Sequence, residues 1–115
     1  MIEKIINIPK LKSEVVFWIG KNASENFDLI DQSQPHYLWF HVDNMPSCHV
    51  VACTDESWKR KEISYIIKQG ALLCKIHSKY NSFKNLPIVY TKMENVTKTD
   101  VIGSVLLKQE KIILI

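Results

Sequence analysis

The stretch Tyr37–Val50, YLWFHVDNMPSCHV, sets His41 and His49 on either side of a turn. Imidazoles titrate near neutrality, so the pair could shuttle protons, hold a metal or offer hydrogen bonds to a ligand. Each use needs different company. A zinc site takes three or four ligands at tight spacing; only Cys48 joins the two histidines, and no fourth ligand is evident. A Cys48–His49 nucleophile is geometrically awkward, because adjacent strand residues point to opposite faces. An acid–base pair, a ligand-contacting patch and a structural pair bonded to backbone carbonyls all remain open.

The elements that would position these residues are legible around them. HYLWFHV reads as a strand, DNMPS as a turn and CHVVAC as the returning strand of a hairpin. If the turn is centred near Met45, His41 falls opposite His49, with Cβ atoms about 5 Å apart on one face; a one-residue change of register makes them diagonal neighbours or sets them on opposite faces, and the sequence alone does not fix which. Trp39 has the same parity and joins that face. SEVVFWIG, before it, is β-branched and aromatic and ends at Gly20, so it is expected as a strand. KNASENFDLIDQSQPH is polar and reads as a loop, with a helical turn near Glu25–Ile30 at most.

Beyond Cys53 the period changes. Ile63, Ile66, Ile67, Gly70, Leu73, Cys74 and His77 recur at helical spacing, predicting a long helix with Thr54 or Asp55 as its N-cap. Gly70 is costly inside a helix, so close approach to the sheet is expected there. Lys61, Lys68, Lys75 and Lys79 fall within about 40° of one another on the opposite side. That row is either a solvated helix face or a surface for phosphates. IVYTKMENVTKTD reads as two strands or one bent strand. GSVLLKQEKIILI reads as a closing hairpin of Ser104–Leu107 with Ile112–Ile115. Strands, one helix, then strands give an α+β fold: a mostly antiparallel, curved sheet packed on one long central helix, a single domain over residues 1–115.

Composition narrows the function classes. The 115 residues suit one domain, with 46% hydrophobic and 23% charged residues. Residues 1–57 carry −4 and residues 58–115 carry +7, for a net +3. Such asymmetry suits a polyanion on the basic side, although lysine-rich coding bias explains it equally well. Cys48, Cys53 and Cys74 form no C-x-x-C pair and sit in apolar contexts. Buried reduced thiols in a cytoplasmic, reducing compartment are expected. Charges among the isoleucines of Met1–Leu11 argue against a secretory leader, and no apolar run is long enough for a membrane span. No cofactor is expected. Of the tryptophans, Trp39 and Trp58 have polar or basic neighbours that suit base stacking, whereas Trp18 reads as core.

These motifs together resemble the NFACT-R domain, the RNA-binding module of the NFACT proteins of ribosome-associated quality control. The resemblance rests on Gly20, Lys21, Asn22 and Asn26; on Leu38, Trp39 and His41; on Pro46, His49 and Val50; and on Val89, Tyr90, Thr91, Val96 and Lys98. It spans residues 13–115 and is nearest a small stand-alone group of the family that, like this chain at Ser47, has a small residue in place of Gly. Tyr37 departs from the family, which has Asp before Leu-Trp, and the helix lacks the family's Ala-rich run.

What the resemblance implies is a nucleic-acid-binding module for structured RNA, tRNA or rRNA. Lys21, Asn22 and Asn26 would meet phosphate or sugar. Trp39, His41 and His49 would form a stacking and hydrogen-bonding patch. Lys98 with Lys61, Lys68, Lys75 and Lys79 would supply attraction. Two other readings stay open: a small nucleotide- or RNA-processing enzyme using the histidine pair, and an adaptor for ribosome-associated proteins. The oligomeric state is not readable from the sequence.

Overall fold

A computed structural model describes residues 1–115. Its centre is a six-stranded, wholly antiparallel sheet in the order β1-β2-β4-β3-β5-β8. The strands are β1 (Ile2–Ile8), β2 (Ser13–Gly20), β3 (Leu38–Val42), β4 (His49–Cys53), β5 (Pro87–Lys92) and β8 (Lys111–Leu114). A separate two-stranded ribbon joins β6 (Val96–Lys98) to β7 (Val105–Leu107). Two helices complete the α+β domain: α1 (Ala23–Gln32) and α2 (Arg60–Ile76).

Period-2 alternation divides the sheet residues between two faces. Phe17, Ile19, Leu38, Phe40, Val42, Val50, Ala52 and Ile88 form one, packed with Ile66, Ala71, Leu73 and Cys74 of α2 in a single buried cluster. Gly70 seats the helix there: a Cβ on it would stand 2.3 Å from the Phe40 ring, so only glycine permits this approach. The other face carries Trp39, Val51 and Val89, covered by Leu29 of α1 and by Met93 and Val96 at the ribbon. Two layers of cover thus sandwich the sheet.

The structure corrects three expectations. Residues 23–32 form a full helix rather than a loop with one turn, so α2 is not the lone helix. Asn22 caps it, accepting from the Glu25 amide at 2.9 Å, while the Lys21 amide donates to Glu25 Oε1 at 2.9 Å. Second, α2 starts at Arg60 with Lys59 as its cap residue, because Asp55 instead binds Ser57 through its amide and hydroxyl in a local turn. Third, the closing hairpin does not form: β7 pairs with β6, and β8 continues past it to pair with β5. Ile2–Ile8, to which the sequence pattern assigned no element, adds an edge strand, joined to β2 through a 3-10 turn at Pro9–Leu11 that Lys12 closes at φ 54°. IVYTKMENVTK resolves into two strands, β5 and β6, separated by a 3-10 turn at Met93–Asn95. No helix is long and apolar enough to cross a membrane.

Candidate nucleic-acid interface

The β3–β4 register pairs Leu38 with Ala52, Trp39 with Val51 and Phe40 with Val50. One step further, His41 meets His49, with ring centroids 5.1 Å apart and planes nearly perpendicular. The turn is therefore centred at Met45, the register that the strand pattern left open, and Trp39 shares the histidine face. Its indole Nε1 donates to His49 Nδ1 at 3.1 Å, and the His41 ring lies parallel to it at 5.7 Å.

Burial separates the three rings. Trp39 is 1% exposed and His49 2%, whereas His41 is only half-buried. Trp39 therefore has no open face for a base, and the expected stacking role does not survive for it. It is a core residue that orients the imidazoles. Burial and the neighbouring His41 push His49 down to about 3, so it is neutral at pH 7. His41 is also lowered, mainly by burial, against a bond near Val42 and the charge of Asp43. Both rings offer hydrogen bonds rather than charge.

Behind them stands Asn26. It is 6% exposed, and its Oδ1 accepts from the His49 amide at 3.3 Å. A Cβ on Gly20 would lie 2.3 Å from that same oxygen. The Gly20-Lys21-Asn22 run followed by Asn26 is thus first a structural device. Gly20 makes room, Asn22 caps α1, and Asn26 ties α1 to β4. Lys21 is the member of the run whose side chain is left free.

Lys21 stands where two clefts meet. One, about 290 Å³, is lined by Lys21, Asn22, Asn26, His41, Ser47 and His49 together with Ile102–Ser104. The other, about 390 Å³, is lined by Lys21, Ser47, Cys48, His77, Ser78 and Lys79. Pro46 and Ser47 belong to both, so they read as one groove over the β3–β4 turn. Neither Lys21 nor Lys79 pairs with a carboxylate. The groove thus presents free ammonium groups, neutral imidazoles, an amide and hydroxyls: the groups that meet phosphate and sugar.

The remaining lysines are dispersed. Lys61 and Lys68 lie exposed along the outer side of α2, away from the groove. Lys75 is tied down, its Nζ donating to the Ile115 carbonyl at 2.9 Å. Lys98 is engaged as well: its Nζ meets Asp31 Oδ1 at 2.5 Å and lies 5.3 Å from the Phe27 ring centre. Of the helical row, only Lys79 reaches the groove. No cluster of three His, Cys, Asp or Glu side chains forms a metal-binding group.

The largest concavity, about 650 Å³, lies at the other end of β3, and half-buried Trp58 lines it. Asp55, Glu56 and Glu94 there balance Arg60, Lys92 and Lys111. It lacks the uniform sign that attracts a polyanion. Sequence reasoning missed Ser47, His77 and Ser78. Their only signal was their place at the β3–β4 turn and just beyond α2, loops that the fold brings together.

A sheet covered by helices on both faces, with these motifs at one end, defines the class. The NFACT protein RNA binding domain matches residues 9–110, and the chain belongs to that family. Its relatives include coiled-coil domain-containing protein 25 of Bos taurus, 35% identical over 92 residues, and that of Danio rerio, 37% identical over 87. These alignments cover 76% and 71% of the chain but 43% and 41% of the relatives, so the chain spans about two fifths of their length. A homolog from Dictyostelium discoideum is 32% identical over 95 residues, covering 75% of the chain and 43% of the homolog. The fold is similar to the C-terminal part of the fibronectin/fibrinogen-binding protein from Streptococcus suis, with a TM-score of 0.76 at 20% identity over 88% of this chain and 40% of that one.

Proposed function

We propose that the chain binds structured RNA, tRNA or ribosomal RNA, in the groove centred on Lys21, and that it does so in ribosome-associated processes of the cytoplasm. The observation that carries this reading is the convergence of Lys21, Asn26, His41 and Lys79 on one groove from four separate segments. The family's description as an RNA-binding domain supports it. Lys21 and Lys79 would meet phosphates, while Asn26 and His41 would hydrogen-bond a sugar or base edge. Lys61 and Lys68 would add attraction at a distance. Three free thiols suit a reducing compartment.

The enzyme alternative is weaker on this geometry. His49 is buried and neutral, with Nδ1 taken by Trp39, so a two-imidazole acid–base pair lacks one accessible partner. An electrophoretic shift with tRNA at low and at moderate salt tests the RNA reading. The expected result is a complex that weakens steeply with salt, and further in Lys21→Ala and Lys79→Ala. No complex at low salt would sink it. Charge reversal at Lys68 and Lys75 that leaves the binding of every partner unchanged would favour the adaptor instead.

A further inference from the structure

We propose that Cys48 and Cys74 are a thiol pair that hydroperoxides convert to a reversible disulfide, a modification site in the floor of the basic groove. The two residues lie 26 positions apart, one at the entry to β4 and one in the last turn of α2. The fold brings them into reciprocal contact. Cys48 Sγ donates to the Cys74 carbonyl at 3.7 Å, and Cys74 Sγ to the Cys48 carbonyl at 4.0 Å. These contacts make the two side chains near neighbours, which is the first requirement of a disulfide.

Access makes the two thiols unequal. Cys48 is 9% exposed and lines the groove, whereas Cys74 is fully buried behind it. An oxidant arriving from solvent meets Cys48 first. The neighbouring Cys74 side chain also holds Cys48 below the ordinary thiol range, which favours its thiolate. Cys53 takes no part. It belongs to the opposite face of β4, and burial pushes it up to about 12.

The chemistry balances with the peroxide as sole oxidant. The Cys48 thiolate attacks one oxygen of hydrogen peroxide, the O–O bond breaks, and Cys48 sulfenic acid forms; the departing hydroxide takes up the proton that the Cys48 thiol had released and leaves as water. The Cys74 sulfur then attacks the Cys48 sulfur. Hydroxide leaves and takes the Cys74 proton as a second water. Two thiols lose two electrons, and the peroxide gains them. The bond would clamp the end of α2 to the β3–β4 turn, beside Ser47 on one side and the His77–Lys79 segment on the other. This site stands on thiol geometry alone and does not depend on what the groove binds.

Mass spectrometry of the folded chain after hydrogen peroxide treatment tests it. The expected product has lost two hydrogens, yields a peptide linking Cys48 to Cys74, and reverts with dithiothreitol. Cys74→Ser should instead accumulate a Cys48 sulfenic acid that dimedone traps. If Cys74→Ser does not fold, timed dimedone trapping on the unaltered chain replaces it; a transient adduct at Cys48 supports the order of steps. A linkage through Cys53, or oxidation of Cys48 to sulfinic acid with Cys74 still free, overturns the proposal.

Discussion

The two faces of one sheet are built on different terms. The face under α2 is apolar, from Phe17 and Phe40 to Val50 and Ile88, with the Cys48 and Cys74 thiols as its most polar members and with Gly70 letting the helix sit against it. The face under α1 buries polar groups among its carbons: Asn26, His49, Thr91 and the indole of Trp39. Each is bonded. Thr91 Oγ1 donates to the Lys108 carbonyl at 3.0 Å, Asn26 holds the His49 amide, and Trp39 holds His49 Nδ1. The first face stabilises by area and shape, which are tolerant of direction. The second uses directional bonds, so each residue is fixed in angle as well as in depth. That is what a groove needs from the layer beneath it. The free groups at its rim, Lys21 and His41, stand on a bonded framework rather than on a soft core.

The largest effect should come from the apolar face. Gly70→Ala puts a methyl group into the Phe40 ring, which is fully buried and stacked near Tyr90, 6.1 Å between centroids. Overpacking outweighs the gain in helix propensity, and a loss of about 3 kcal/mol in urea unfolding is expected. Phe40→Leu in the same chain should recover part of it. If Gly70→Ala proves neutral, the close approach is not what seats α2.

The polar face should respond instead to pH. His49 is held to about 3 in the folded chain against 6.5 when free. Between those values the unfolded chain takes up a proton that the folded chain refuses, so acid favours unfolding. Stability should be level above about pH 6.5 and fall on the order of 3 kcal/mol by pH 4. His41 and His77, lowered in the same direction, add to the slope. Urea titrations of the unaltered chain and of His49→Gln, which keeps an acceptor for Trp39, check this. An equal slope in both would remove His49 as the cause. Asn26→Ala should cost less, about 2 kcal/mol, by leaving the His49 amide buried without a partner.

Local pattern carried most of the architecture. The β3–β4 hairpin, the α2 stripe and the reason for Gly70 follow from period and turn chemistry, whereas the register that sets His41 against His49 had a one-residue slip as its rival and is fixed only by the fold. The failures share one cause. Whether VLL of β7 pairs with KIIL of β8 or with VTK of β6 depends on a competition between distant strands, to which sequence spacing is blind. The α1 segment is polar overall, and its cap signal, Asn22 with Glu25, is brief. For the site, residue type misled. A tryptophan next to histidines looks like a stacking platform, yet depth in the sheet decides. Lys98 looks like a free cation until Asp31, 67 positions away, is folded against it.

That last pair gives the finest test of the contrast between framework and rim. Lys21 is exposed, unpaired and set in the groove; Lys98 is exposed too but already neutralised by Asp31. Both are lysines the family pattern marks, so a view based on net charge alone treats them alike. If the groove is what binds, Lys21→Ala should leave unfolding unchanged, weaken tRNA binding several-fold and lower the slope of log affinity against log salt by about 1. Lys98→Ala should leave that slope as it was, because an ammonium already paired releases no counterion from RNA. Its cost is confined to an exposed ion pair, at most about 1 kcal/mol of stability. Equal slopes for the two variants would mean that RNA reads only the overall charge of the chain, and the groove would lose its claim.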